Sequence, residues 1–150
     1  MVISSSQPNT PLTINHLPME KVNSYRYLSV WLTSSLSWSI EVKSVCQKAR
    51  RQIAIVCRNF YGHSNCSTLL QLYLAYVRPH LEYAVPVWDP YQQGNLLESV
   101  QKFALMVYTR NCAMEYGSLL NFCNLPTLAS RRQYLKCFLY QVIHGNFTGH

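Results

Sequence analysis

The apolar positions of this chain change period once. Leu12 to Asn15, Met19 to Val22 and Tyr25 to Leu32 are short runs rich in β-branched and aromatic residues, which predicts strands. The turn His16-Leu17-Pro18 separates the first two, and Asn23-Ser24 the next. In the third run Leu28, Val30 and Leu32 share one face and Tyr27, Ser29 and Trp31 the other, the pattern of a strand covered on both sides. From Ser37 the period becomes helical. Between about Ser39 and Tyr61, Val42, Val45, Cys46, Ala49, Ile53, Val56 and Phe60 recur at three- and four-residue steps and fall within an arc of about 120°. Lys43, Arg50, Arg51 and Arg58 fall in a separate arc of about 100°, while Ile55 and Lys48 miss both.

A second helix is predicted from Ser67 to Arg78, broken or kinked by Pro79, with residues 79 to 85 resuming as a short helix. Pro86, Pro90 and Gly94 mark a connection through Trp88. Asn95 with Glu98 three residues on resembles a capping box for a helix from Leu96 to about Arg110. A short helix near Gly117 to Cys123 precedes Leu125-Pro126, and Thr127 caps a last helix that stops at Gly145. The expected fold is therefore mainly α, a helical bundle preceded by a small antiparallel β-element over residues 12–33. Its parts are residues 1–36, residues 37–145 and a tail at 146–150.

Length and composition narrow the class. A chain of 150 residues suits one ordinary domain that buries roughly two-thirds of its unfolded surface. Apolar residues make up 49%, too many for a disordered chain. Thirteen Lys and Arg against six Asp and Glu give +7, a balance that favours an anionic partner. The six cysteines, at 46, 57, 66, 112, 123 and 137, contain no Cys-x-x-Cys pair, so they read as reduced thiols, with Cys46, Cys57, Cys123 and Cys137 packed inside helices as small hydrophobes. His63-Ser64-Asn65-Cys66, with Cys57 upstream, is the nearest approach to a ligand cluster. The first twenty residues lack the charged and apolar regions of a signal peptide, and no run suits a membrane span, so an intracellular location is expected.

Catalysis finds little support. Two-metal nucleotidyl chemistry needs closely set carboxylates, whereas here the single aspartate, Asp89, precedes a proline and the glutamates at 20, 41, 82, 98 and 115 are scattered. A Gly-x-Ser-x-Gly elbow and a phosphate-cradling glycine loop are both missing from the sequence. His80 and Glu82, two apart, point away from each other on a helix, and Arg78 can pair with Glu82 at i, i+4 if the helix survives Pro79. The basic face Lys43, Arg50, Arg51, Arg58 is the best functional candidate, because four cations in line can follow a phosphate backbone; the competing reading is a solvated helix face. Arg131, Arg132 and Lys136 form a second, smaller basic cluster, facing either nucleic acid or solvent.

One stretch carries more. Arg78-Pro79-His80-Leu81-Glu82-Tyr83-Ala84, continued by Val87-Trp88-Asp89-Pro90 and Leu96-Leu97-Glu98-Ser99-Val100-Gln101-Lys102-Phe103-Ala104, resembles the segment that follows the polymerase core in reverse transcriptases of LINE-like (non-LTR) retrotransposons. Val22 to Leu32 resembles that family's primer grip, a β-hairpin at the palm edge. Ser37-Trp38-Ser39 and Val45 to Arg51 look like its first thumb helix, and Leu69 to Tyr73, Leu125 to Leu128 and Arg131 to Leu135 are similar to elements further on. The resemblance covers about residues 2 to 145. It implies a thumb and connection region, with Tyr27, Leu28 and Ser29 in the grip and Lys43, Arg50, Arg51 and Arg58 facing an RNA or DNA–RNA duplex backbone. It implies no enzyme activity in this chain alone, and magnesium only with a palm domain whose catalytic aspartates this sequence lacks. Ser29 departs from the family's glycine, which suggests a decaying copy. Met1-Val2-Ile3-Ser4 resembles the interior of a palm strand, the mark of a truncated element. The alternatives are an inert relic and a host-adopted helical interaction module.

Overall fold

The computed structural model describes residues 13–89 and 93–145. The expectations for Met1 to Ser4, for the turn proline Pro90 and for the tail 146–150 lie outside them. The fold is mainly α, preceded by two small antiparallel sheets, and the chain divides into two compact units after Glu41.

In the first unit β1 (Thr13–Ile14) pairs with β2 (Leu17–Pro18), and β3 (Ser24–Tyr27) with β4 (Val30–Thr33). The expected strand boundaries need several corrections. Met19 to Val22 forms no strand and carries only a bridge residue at Lys21, and Ser24 opens β3 instead of belonging to a turn. Leu17 and Pro18 are strand and not turn, because the chain reverses at Asn15-His16. The third run is not one straight strand: it folds back at Leu28-Ser29, with Tyr27 opposite Val30. The reason is local. Asn15, His16, Leu28 and Ser29 all have positive φ, at 50°, 65°, 44° and 68°. Two left-handed residues in succession make the two-residue hairpin loop whose twist matches the flanking strands. An alternating pattern cannot reveal such a bend, since a hairpin preserves the alternation on each arm. Both faces of β3 are exposed, contrary to a strand covered on two sides, while Val30 and Thr33 of β4 are buried. The amide of Trp31 donates to Glu41 Oε2 at 2.8 Å, so a carboxylate that is 1% exposed satisfies the outer edge of β4.

Leucine and serine are poor occupants of left-handed backbone, which costs an L-residue roughly 1–2 kcal/mol. Ser29→Gly is expected to stabilise the β3–β4 hairpin by about 0.5–1 kcal/mol, net of the extra entropy glycine has when unfolded. Slower hydrogen exchange at the Tyr27 and Val30 amides would register it; unchanged exchange would show that the turn is unstrained.

The helix α1 (Ser39–Phe60) runs as its periodicity predicts. Val42, Val45, Cys46, Ala49, Ile53 and Val56 are buried along one face, whereas Phe60 leaves it and is 42% exposed in the last turn. Glu41 in the first turn and Arg58 in the last complement the helix dipole. After Tyr61 the end of α1 is closed from a distance: Arg110 Nη2 donates to Tyr61 O at 2.5 Å and Ser64 O at 3.3 Å, and its guanidinium lies 4.9 Å from the centre of the Tyr61 ring.

The next helix does not break at Pro79. α2 (Cys66–Leu72) starts at Asn65, whose Oδ1 accepts from Thr68 N at 2.8 Å. A π-helical turn, Tyr73–Val77, follows, and α3 (Arg78–Glu82) continues from it. In an α-helix the Pro79 ring would press on the carbonyl of Ala75 and leave it without a donor. The Arg78 amide instead reaches back five residues to Tyr73 O, which widens the helix immediately before the proline. Tyr83 then turns extended and Ala84 left-handed, and α4 (Val85–Trp88) forms a single turn.

α5 (Gly94–Thr109) starts one residue before the expected capping box, and neither Asn95 nor Glu98 caps it. It ends at left-handed Arg110, α6 (Tyr116–Cys123) ends at left-handed Asn124, and α7 (Leu128–Ile143) starts at Thr127, whose hydroxyl accepts from Ser130 N at 3.1 Å. α5 packs on α2, α6 and α7, and α7 also on α3 and α4. Tyr73, Val77, Leu81, Val85, Trp88, Leu97, Val100, Ala104, Tyr108 and Leu128 are all within 1% of full burial. Leu105, Leu119 and Leu120 extend this core beneath α6.

Candidate nucleic-acid interface

The charges of the helical unit are divided between two uses. Glu82 holds Arg131 through both oxygens, Nε to Oε1 and Nη2 to Oε2 at 3.0 Å each, with Arg78 at 3.6 Å as its i, i+4 neighbour. Two parallel N–H···O bonds of this kind are the strongest geometry an arginine offers a carboxylate. The hydrogen bond to Glu82 pushes the Arg131 pKa up. Asp89 holds Arg132 Nε at 3.0 Å and, on its other oxygen, Lys136. Glu98 leaves its own helix altogether. Its Oε2 accepts from the Tyr116 hydroxyl and from Leu128 N, and its Oε1 from Ala129 N at 2.7 Å, which places a negative charge on the first turn of α7.

The second basic cluster, left open between nucleic acid and solvent by the sequence, is engaged in ion pairs within the fold. Arg131, Arg132 and Lys136 clamp α7 onto the α3–α4 corner. The stretch Arg78 to Asp89 supplies the other half of that clamp: Leu81, Val85 and Trp88 are buried, and Trp88 Nε1 donates to Tyr83 O at 2.7 Å. Its residues build the fold of this unit.

Lys43, Arg50, Arg51 and Arg58 are treated differently. All four are exposed, and among the described residues the ion pairs engage Arg78, Arg131, Arg132 and Lys136 but none of these four. α1 brings them onto one side, with exposed Gln47 and Ala54 between them. Fifteen residues from Lys43 to Arg58 span ~22 Å of helix, a length that matches about six phosphates of one duplex strand. Aromatic side chains for base stacking are missing from that arc, so the face offers charge and no stacking platform.

Tyr27, Leu28 and Ser29 stand at the tip of the β3–β4 hairpin, all exposed. Ser29 occupies the left-handed position that a glycine would fill without strain.

Two interior features were missed by sequence reasoning. Gln101, 1% exposed, accepts from the Tyr73 hydroxyl at 2.6 Å and donates to Pro126 O at 3.1 Å, tying α5 to the π turn and to the loop before α7. Burial first of all pushes the Tyr73 and Tyr116 phenols well above their ordinary range, and the hydrogen bond to Glu98 raises Tyr116 further. The cysteines correct one expectation: Cys46 is buried, but Cys137 is exposed on α7 instead of packed within it. Burial pushes the Cys46, Cys57 and Cys123 thiols up, which makes them poor nucleophiles.

Among the described residues no three His, Cys, Asp or Glu side chains converge where a metal ion could sit. Asp89, already bound to two cations, offers no free carboxylate of the kind a polymerase magnesium needs. Among the described residues no helix is long and apolar enough to cross a membrane. Comparison with protein-family models, with curated proteins and with solved structures returned no match.

Proposed function

We propose that this chain is a non-catalytic part of a LINE-like reverse transcriptase, a thumb and connection region that holds the template–primer backbone through α1. The observation that carries the proposal is the division of charge. Lys43, Arg50, Arg51 and Arg58 stay exposed on one helical face and outside every ion pair among the described residues, while Arg78, Arg131, Arg132 and Lys136 are engaged by Glu82 and Asp89. The order of family-like segments along the sequence supports the same reading, as does the β3–β4 hairpin at the position of the primer grip. The chain performs no polymerisation by itself. It works in the cytoplasm or nucleus, beside a palm domain that carries the magnesium and the catalytic aspartates.

The chemistry is that of a polyelectrolyte contact. Each arginine or lysine that meets a phosphate releases a condensed counterion, so affinity falls as a power of the salt concentration. Four contacts predict a log–log slope of roughly −3 to −4 for an RNA–DNA duplex, with little dependence on sequence. Fluorescence anisotropy of a labelled duplex across a salt series checks this. A slope near zero would remove the backbone contact. A second reading, a helical protein-interaction module, is favoured by one observation: the C-terminal half of α7 exposes Leu139, Tyr140, Val142 and Ile143 together.

A further inference from the structure

The basic side of α1 does not end at Arg58. The Tyr61 amide still donates to Cys57 O at 3.1 Å, so Tyr61 keeps the helical step just past the end of α1. By that step, about 100° per residue, it falls at the azimuth of Lys43 and within the arc of Arg50, Arg51 and Arg58. Arg58, three residues earlier, is its neighbour on the helix surface. A cation from elsewhere in the fold sits on this ring. Arg110, the left-handed residue that ends α5, places its guanidinium 4.9 Å from the ring centre and its Nη2 on the carbonyls of Tyr61 and Ser64. Tyr61 and Arg110 are both exposed.

We infer that Arg110 is a fifth backbone contact of the α1 interface, a cation that the end of α5 adds to the phosphate-binding line. The inference rests on the reading of α1 as a backbone-holding helix. Charge singles Arg110 out. Arg78, Arg131, Arg132 and Lys136 are each engaged by a carboxylate, whereas Arg110 is held by two carbonyl oxygens, which orient its charge without cancelling it. Among the described residues no carboxylate pairs with it, and its Nε and Nη1 enter no hydrogen bond. Its side chain is also fixed in advance. A free surface arginine gives up rotamer freedom when it meets a phosphate. Arg110 has already given it up, because the ring and the carbonyls set the guanidinium plane. Its place fits the line as well. From Lys43 to Tyr61 the helix rises ~27 Å, which lengthens the covered strand by about one phosphate beyond Arg58.

Fluorescence anisotropy of a labelled RNA–DNA duplex, across a salt series with the full chain, tests it. Arg110→Gln removes the charge and keeps a side-chain donor, and is expected to make the log–log salt slope shallower by about one. Arg110→Lys keeps the charge and should keep the slope. An unchanged slope in Arg110→Gln, beside a fall in Arg50→Glu with Arg58→Glu, would overturn the inference and leave α1 as the interface. A native slope near zero would remove the α1 interface and this contact together. A Lys variant that falls as far as the Gln variant would assign Arg110 to capping α1 alone, and would overturn the inference too. Circular dichroism checks that helicity survives the substitutions. Where it does not, the isotope-labelled native chain decides: the duplex should shift the Arg110 Nε–H resonance, and an unmoved resonance would contradict the contact.

Discussion

Asp89→Ala is expected to destabilise the helical unit by about 3 kcal/mol or more, because it strands a charge in a place where water cannot reach it. Arg132 is 7% exposed and its Nε depends on Asp89 at 3.0 Å, while its Nη1 meets no hydrogen-bond partner among the described residues. Removing the carboxylate leaves that guanidinium buried without a counter-charge and releases Lys136 as well. Breaking one side of a buried pair costs far more than replacing both sides by apolar groups. The double variant Asp89→Ala with Arg132→Met should therefore recover much of the loss. Thermal unfolding distinguishes the two: a fall of roughly 6–12 °C for the single change, and a smaller one for the double. An equal fall in both would show that Asp89 acts through something other than Arg132.

Trp88→Ala should cost a similar amount by a different route. The indole is fully buried, and its Nε1 donates to Tyr83 O at 2.7 Å, which fixes the turn between α3 and α4. Truncation removes a large apolar side chain, leaves a cavity and orphans a carbonyl, a combination worth about 3–5 kcal/mol. Because Trp88 adjoins Asp89, cavity and lost anchor both loosen the corner on which α7 sits. Trp88→Phe keeps most of the volume and should recover the larger part. Urea midpoints of the two variants measure the difference, and equal midpoints would mean that the hydrogen bond, and not the volume, matters.

How legible this was in the sequence depended on the range of each interaction. α1, with its buried and basic faces, follows from a three- and four-residue period, and Thr127 from its position before the last helix. The i, i+4 pair Arg78–Glu82 was likewise readable. Pro79 misled, because a π turn five residues long absorbs it and no local signal distinguishes that from a break. Glu98 misled because a capping-box spacing says where a carboxylate could act, whereas its partners on α7 lie some thirty residues on. The Glu82–Arg131 pair spans 49 residues, so Arg131 read as a spare cation when it is a structural one. At the interface the basic face could be read, but which cations were unpaired could not, since that depends on where every carboxylate ends up.

The central claim is that α1 holds a phosphate backbone through exposed cations that join no ion pair among the described residues. Arg50→Glu with Arg58→Glu tests it most directly, both residues being exposed and outside every ion pair found among the described residues. The account predicts an unchanged circular dichroism spectrum and a duplex affinity whose salt slope falls by about two. Binding with the same affinity and slope as the native chain would contradict it.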